Sequence, residues 1–130
     1  MVKYLQDETC RVSCLGKTWV LDLDGTLVKH NGYKTDGHDT LLDGIDTLLS
    51  QIKEEDMVII VTARDRKYAA QTEGFLAVNG IRYNYIIYNA PYGERILIND
   101  RKPSGLPMSV AINTDRDRAC RVRFEVDEGL

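Results

Sequence analysis

Two aspartates separated by a single residue carry the strongest chemical signal in the sequence. Asp22 and Asp24 follow the apolar run Thr18-Trp19-Val20-Leu21, which predicts a buried strand that ends at the pair. Because side chains alternate across a strand, both carboxylates project to the same side, and Gly25 allows a sharp turn just beyond them. This arrangement suits a metal-bound nucleophile paired with a general acid/base.

Polar residues also follow two later apolar runs. Met57–Val61 ends in Thr62-Ala63-Arg64, and Arg95–Ile98 ends in Asn99-Asp100. Open α/β sheets bind ligands at the carboxyl ends of their strands. The sequence therefore predicts one site built from these strand ends.

The motif Asp22-Leu23-Asp24-Gly25-Thr26-Leu27 resembles the first motif of the haloacid dehalogenase (HAD) superfamily of phosphotransferases. The resemblance implies that Asp22 attacks phosphorus to form an aspartyl-phosphate. Asp24 would protonate the leaving oxygen and later deprotonate the attacking water. Thr62 matches the family's second motif, in which the hydroxyl and neighbouring backbone amides, here that of Ala63, hold the phosphoryl oxygens.

The same resemblance implies magnesium, since clustered carboxylates repel each other and an anionic substrate. The ligands would be Asp22, Asp24 through its backbone carbonyl, and Asp100; whether Asn99 or Asp100 binds depends on register. The family's third-motif Lys is missing, because no Lys lies between Lys67 and Lys102. The cation expected beside the phosphoryl group is then Arg95, or else Arg64 or Lys102 brought in by the fold.

Apolar and helical patterns alternate in the order of an α/β fold, a three-layer Rossmann-like (HAD-like) parallel sheet with helices on both faces. The sequence predicts strands, helices and a loop at the following positions: strands Thr18–Leu23, Met57–Val61, Tyr85–Tyr88, Arg95–Ile98 and Ser109–Asn113; helices Leu41–Glu55, capped by Asp39 or Thr40, and Asp65 or Arg66 to Val78, closed by Asn79-Gly80; a loop over Lys29–Asp39; a weak strand near Cys10–Leu15; and an edge strand within Arg118–Val126.

Length and composition favour one domain. The chain has 130 residues, 43% of them apolar, and a formal charge of −3, which fits a single domain over residues 1–130. The resemblance implies that this is a HAD-like hydrolase domain. The acidic balance gives no sign of the basic surface that tight nonspecific binding of nucleic acid needs, although it leaves nucleic acid open as a substrate.

Three cysteines at spacings that fit neither a disulfide framework nor a zinc ribbon predict reduced thiols. Without a leader pattern over Met1–Gly16 or a membrane-spanning run, the expected location is the cytoplasm, with no membrane partner.

The intervals between the motifs leave no room for an inserted cap domain. A capless member of the family has an open site, which suits a large substrate or a homo-oligomer whose neighbour covers the site. The leading hypothesis is a magnesium-dependent phosphomonoesterase that acts on a small phosphorylated substrate, a sugar phosphate or related metabolite. The alternatives are a polynucleotide end phosphatase, which a basic groove of Lys29, Lys34 and Arg66 would support, and a noncatalytic HAD-fold binding module.

Plainer interpretations accompany the candidate residues. Asp22 and Asp24 could cap a turn, and Asp100 could form an Asx turn before Lys102-Pro103. Arg95 could be a solvated residue of a strand edge, and Arg64 a helix-start residue without a ligand. A Lys or Arg nitrogen within hydrogen-bond reach of the Asp22 carboxylate would favour catalysis.

Overall fold

The computed structural model describes residues 8–130. The first seven residues of the Met1–Gly16 segment, which was considered for a leader, therefore lie outside the described part of the chain. Nine elements make up the described chain. In chain order they are β1 Thr9–Val12, β2 Thr18–Asp22, α1 Gly32–Thr35, α2 Asp46–Leu49, β3 Met57–Val61, a 3₁₀ turn Arg66–Tyr68, α3 Ala69–Val78, β4 Tyr85–Ile87 and β5 Arg123–Val126. No helix within residues 8–130 has the length and apolar character to cross a bilayer.

The main sheet contains three parallel strands in the order β2-β3-β4. Residue Asp22 at the end of β2 is paired with Val61 at the end of β3, and Ile87 of β4 is also paired with Val61. The carboxyl ends of the three strands therefore lie together, as the sequence predicted. A second parallel sheet joins β1 to β5, with Thr9 opposite Arg123 and Val12 opposite Val126. The fold is thus α/β with parallel sheets.

The core lies between the main sheet and the segments that follow its strands. Val58 and Ile60 of the central strand β3 are 1% and 0% exposed, because alternate residues of this strand face the same side. The strand prediction for Met57–Val61 is confirmed to the residue. The core is completed by residues from the turn after β2, α2, α3 and the approach to β5: Leu23, Leu27, Val28, Leu48, Leu76 and Val122.

Of the two predicted helices, one is well matched and the other is much shorter. The helix that ends at Val78 is present, with a 3₁₀ turn at its start and Gly80 at φ 67° beyond its end. The helix predicted over Leu41–Glu55 is confined to Asp46–Leu49. Gly44, at φ 81°, interrupts it because a left-handed residue cannot continue a right-handed helix.

The strands predicted at Arg95–Ile98 and Ser109–Asn113 do not form. Ile96, Leu97 and Ile98 are 83%, 62% and 90% exposed. An apolar run predicts burial, but a strand also needs backbone hydrogen bonds to a neighbouring strand. Within residues 8–130 this segment forms none with the outer edge of β2, which has no strand beside it. The predicted loop over Lys29–Asp39 contains the short helix α1.

Candidate functional site

The turn after β2 places the two aspartates of the motif. The Leu23 carbonyl accepts hydrogen bonds from the backbone N–H groups of Thr26, Leu27 and Val28 at 3.2, 2.9 and 3.1 Å. Gly25 has φ 83°, and a Cβ atom there would lie 3.2 Å from Cγ of Arg116. Both the left-handed conformation and the close approach require glycine at this position.

Asp22 is held by one donor on each carboxylate oxygen. The Thr26 hydroxyl donates to Oδ2 at 2.9 Å, and Arg95 Nη1 donates to Oδ1 at 3.0 Å. The side chains of Asp22 and Arg95 are 38% and 39% exposed, so the pair faces solvent. The structure thus brings a cation into contact with the predicted nucleophile, at one of the positions that the sequence nominated.

Asp24 faces inward and is held by Arg64. Arg64 Nε donates to Oδ2 and Nη2 to Oδ1, each at 3.0 Å, so that both carboxylate oxygens are bound side-on. The Arg64 side chain is 1% exposed and that of Asp24 is 16% exposed. The interpretation of Arg64 as a helix-start residue without a ligand is therefore wrong, and Asp65 caps the following 3₁₀ turn by accepting from Lys67 N–H at 2.8 Å.

A second carboxylate binds the opposite side of the same guanidinium. Asp39 accepts from Arg64 Nη2 at 2.6 Å and from Nη1 at 2.9 Å, and Nη1 also donates to the Thr72 hydroxyl at 2.9 Å. The Asp39 side chain is 2% exposed. Asp39 was one of two caps, with Thr40, expected for the helix predicted from Leu41. It instead neutralises a buried cation, since an unpaired buried charge is costly.

Arg64 is charged under all conditions in which the protein is folded. Burial by itself would lower the pKa of Arg64, but hydrogen bonds to Asp39 and Asp24 outweigh burial and raise the pKa above its ordinary value. The Tyr33 ring also stabilises the charged guanidinium through a cation–π contact, since its centroid lies 3.9 Å from the guanidinium carbon. Arg64 therefore keeps its positive charge between the two carboxylates.

Thr62 and Ala63 lie at the end of β3. The Thr62 residue is 1% exposed, its N–H donates to Ile87 O at 2.9 Å, and its hydroxyl accepts from Arg64 N–H at 3.1 Å. Within residues 8–130, no hydrogen bond uses the backbone N–H of Ala63. Of the two phosphoryl-binding residues predicted at the end of β3, Ala63 thus offers an available donor, whereas the Thr62 hydroxyl already helps to fix Arg64.

The predicted magnesium ligands are not all brought together. Asp100 lies in an exposed segment, where its Oδ1 accepts from Asn99 Nδ2 at 3.5 Å. The described residues contain no group of three or more His, Cys, Asp or Glu side chains able to hold a metal. The predicted ligand set is therefore not assembled at one place among the described residues.

The three cations named for a polynucleotide groove each contact a side chain near them. Lys29 Nζ lies 2.8 Å from Asp36 Oδ2, so its charge is neutralised locally. Lys34 Nζ lies 5.6 Å from the Tyr33 ring centroid, and Arg66 lies 5.3 Å from that of Tyr88. Across the described part of the chain, no contact joins these three cations to Asp22.

Sequence inspection missed the residues that support the motif from a distance. The Asp117 N–H donates to Gly25 O at 2.9 Å, and Asp117 Oδ1 accepts from His30 N–H at 2.7 Å. Asp39 and Thr72 were missed in the same way. No spacing rule links positions 39, 64, 72 and 117, so only the folded chain reveals the connection.

Comparisons of the chain with protein-family models, with curated proteins and with solved structures gave no significant match. The chemistry of the site is therefore judged from its own residues. A partly exposed carboxylate contacts a partly exposed guanidinium, next to a second carboxylate that a buried guanidinium fixes in place. Such a pair can supply a nucleophile and a positioned proton carrier.

Proposed function

We propose that this protein is a phosphomonoesterase of the HAD type that works through an aspartyl-phosphate on Asp22. The observation that carries the proposal is the contact of 3.0 Å between Arg95 Nη1 and Asp22 Oδ1. A nucleophile that attacks a phosphate dianion needs a neighbouring cation to offset the repulsion. A noncatalytic binding module has no requirement for a cation at that carboxylate, so the contact favours catalysis.

In the first step an Asp22 oxygen attacks phosphorus, and the bond from phosphorus to the leaving oxygen breaks. The leaving oxygen takes the electron pair and receives a proton from Asp24, which releases the alcohol. In the second step water attacks the phosphoryl group and gives a proton to the Asp24 carboxylate. The bond from phosphorus to Asp22 breaks, inorganic phosphate leaves, and both aspartates return to their starting states.

The phosphoryl oxygens would be held by donors at the strand ends. Arg95 is exposed enough to move from Asp22 to the incoming phosphate, since solvent-exposed ion pairs are worth about 0–1 kcal/mol. The Ala63 N–H makes no hydrogen bond to another residue in the described part of the chain, so it can donate to a phosphoryl oxygen. Thr62 supports this arrangement through its bond to the Arg64 backbone.

Magnesium is proposed as the cofactor on the ground of charge. With Asp24 carrying the proton that it donates in the first step, Asp22, Asp39, Arg64 and Arg95 sum to zero, and a phosphate dianion would add two negative charges. A divalent cation would offset them. Asp22, the Asp24 carbonyl and Asp100 would hold it only if Asp100 moves to the strand ends.

The same proposal includes the three-layer HAD-like fold, in which a further strand would lie beside β2. The outer edge of β2 has no neighbouring strand in the described chain, and Ile96, Leu97 and Ile98 are exposed just beyond Arg95. Pairing of this segment with β2 would bury the three apolar side chains and carry Asp100 toward Asp22. The open, capless site then suits a small phosphorylated metabolite in a homo-oligomer whose neighbour covers it.

The test is hydrolysis of a panel of phosphoesters with and without magnesium, covering aryl, sugar and nucleotide phosphates and 3′-phosphorylated oligonucleotides. We expect magnesium-dependent turnover that Asp22→Asn abolishes without unfolding the protein. Asp43→Asn is the matched control, because Asp43 is exposed and outside the site. Absence of turnover on the whole panel, or equal turnover by wild type and Asp22→Asn, would overturn the proposal.

A further inference from the structure

We propose that Arg64 and Asp39 form a positioning pair that fixes the Asp24 carboxylate for proton transfer. This role rests on the proposed phosphatase function. It gives a role in the reaction to Asp39, which the sequence offered only as a helix cap, and it places Arg64 beside Asp24 rather than beside the phosphoryl group. Neither residue needs to touch the substrate, so both act through Asp24.

The guanidinium of Arg64 has no freedom to rotate. It has five N–H donors, and all five are used: two on Asp24, two on Asp39 and one on Thr72. Its backbone is also held at both ends, since Arg64 N–H donates to the Thr62 hydroxyl at 3.1 Å and Arg64 O accepts from Asn89 N–H at 2.8 Å. The position of Arg64 is thus determined from every side.

Among the described residues, the Asp39 carboxylate accepts hydrogen bonds from Arg64 alone. Each of its carboxylate oxygens accepts from the guanidinium, at 2.6 and 2.9 Å, and its side chain is 2% exposed. This contact already compensates the charge of Arg64. The remaining edge of the guanidinium is therefore available for Asp24, whose side chain is 16% exposed and so still reaches the solvent side of the site.

The contact with Asp24 leaves capacity for chemistry. Each carboxylate oxygen has two lone pairs, and Arg64 occupies one on each oxygen. The other lone pairs remain for a proton in transit to the leaving oxygen or from water. A side-on pair fixes the plane of the carboxylate as well as its position, and proton transfer depends on that orientation.

Arg64→Lys tests the role, because lysine keeps the charge but cannot bind a carboxylate side-on through two nitrogens. Loss of general acid catalysis should affect poor leaving groups most. We expect the first-turnover rate to fall about 100-fold for an alkyl phosphate and less than about 10-fold for 4-nitrophenyl phosphate. The second step also needs Asp24, so the variant should accumulate enzyme with one phosphoryl group on Asp22, detectable by intact-protein mass spectrometry.

Two further variants keep the test decisive. Asp39→Asn should shift the same leaving-group ratio in the same direction by a smaller factor, and it carries the test if Arg64→Lys does not fold. Arg82→Lys is the matched control, since Arg82 is exposed and bonds only to Asn84 and Lys53 within the described chain. We expect it to leave both rates unchanged.

The outcomes separate the two proposals. A wild-type protein without turnover on any phosphoester overturns the phosphatase and, with it, the role of Arg64. An active wild type whose Arg64→Lys variant slows both substrates by the same factor, or slows neither, overturns the positioning role and leaves the phosphatase in place.

Discussion

Replacement of Arg64 by methionine should be among the most damaging single substitutions in this protein. Methionine fills a similar volume but donates no hydrogen bond. It would leave the Asp39 carboxylate, 2% exposed, without a donor and in contact with apolar neighbours. Breaking a buried ion pair by removing one partner costs about 3–5 kcal/mol, which is a large part of the about 5–15 kcal/mol that stabilises a typical domain.

Urea denaturation measures this loss directly. With a denaturant slope of about 2 kcal/mol per molar, a loss of about 3–5 kcal/mol lowers the unfolding midpoint by about 1.5–2.5 M. Arg82→Met is the control, because Arg82 is exposed. Its effect should stay within about 0.5 kcal/mol.

The double variant Arg64→Met with Asp39→Leu separates loss of charge compensation from loss of packing. Once both charges are gone, no unpaired carboxylate remains fully buried, and Asp24 can be hydrated because it is 16% exposed. We expect the double variant to recover to within about 1–2 kcal/mol of wild type, since apolar replacement of a buried pair is often close to neutral. A single variant that loses less than about 1 kcal/mol, or a double variant no more stable than the single one, would refute the reasoning.

Three other substitutions give sharper tests of separate contacts. Thr26→Val removes the hydroxyl that donates to Asp22, and loss of a hydrogen bond to a charged group, about 1.5–3 kcal/mol, should lower turnover about 10-fold or more in steady-state assays. Arg95→Gln should lower kcat/KM about 10-fold or more yet leave the urea midpoint unchanged, because an exposed pair contributes at most about 1 kcal/mol to stability; a shifted midpoint with normal kinetics would contradict this. Burial opposes ionisation of Asp56, but hydrogen bonds from Lys17 N–H, the Trp19 indole and Lys53 N–H lower its pKa below 3.8. The stability that depends on this carboxylate is therefore complete above about pH 4 and lost as the pH falls below that value, and urea titrations of Asp56→Asn should lack this component.

Local patterns predicted the elements that carry the motif. The β-branched run Met57–Val61 became the central strand and the Asn79-Gly80 stop ended α3, because both signals depend on a few neighbouring residues. Placement of Asp22 beside Val61 followed from the parallel pairing of two such strands. The cation beside the nucleophile was also among the residues nominated, as Arg95.

The rest depended on contacts between distant parts of the chain. Residues Arg95–Ile98 are apolar enough for a buried strand, yet composition does not say whether they pair with a neighbouring strand, and in the described chain they do not. Asp39 lies in a polar loop, where a carboxylate is normally hydrated. Its burial against Arg64, 25 positions away, leaves no local pattern in the sequence.

The two aspartates of the motif differ in how firmly their arginines are held, and this difference matches the two roles proposed for them. Asp22 and Arg95 are 38% and 39% exposed, so an incoming phosphate can displace their contact for at most about 1 kcal/mol. Separation of Arg64 from its carboxylates would cost about 3–5 kcal/mol, which no step of the reaction needs to supply. A nucleophile must release its partner as it attacks, whereas an acid/base must keep its orientation through two proton transfers. The burial of Arg64 and the exposure of Arg95 therefore favour Asp22 as the nucleophile and Asp24 as the acid/base, rather than the reverse.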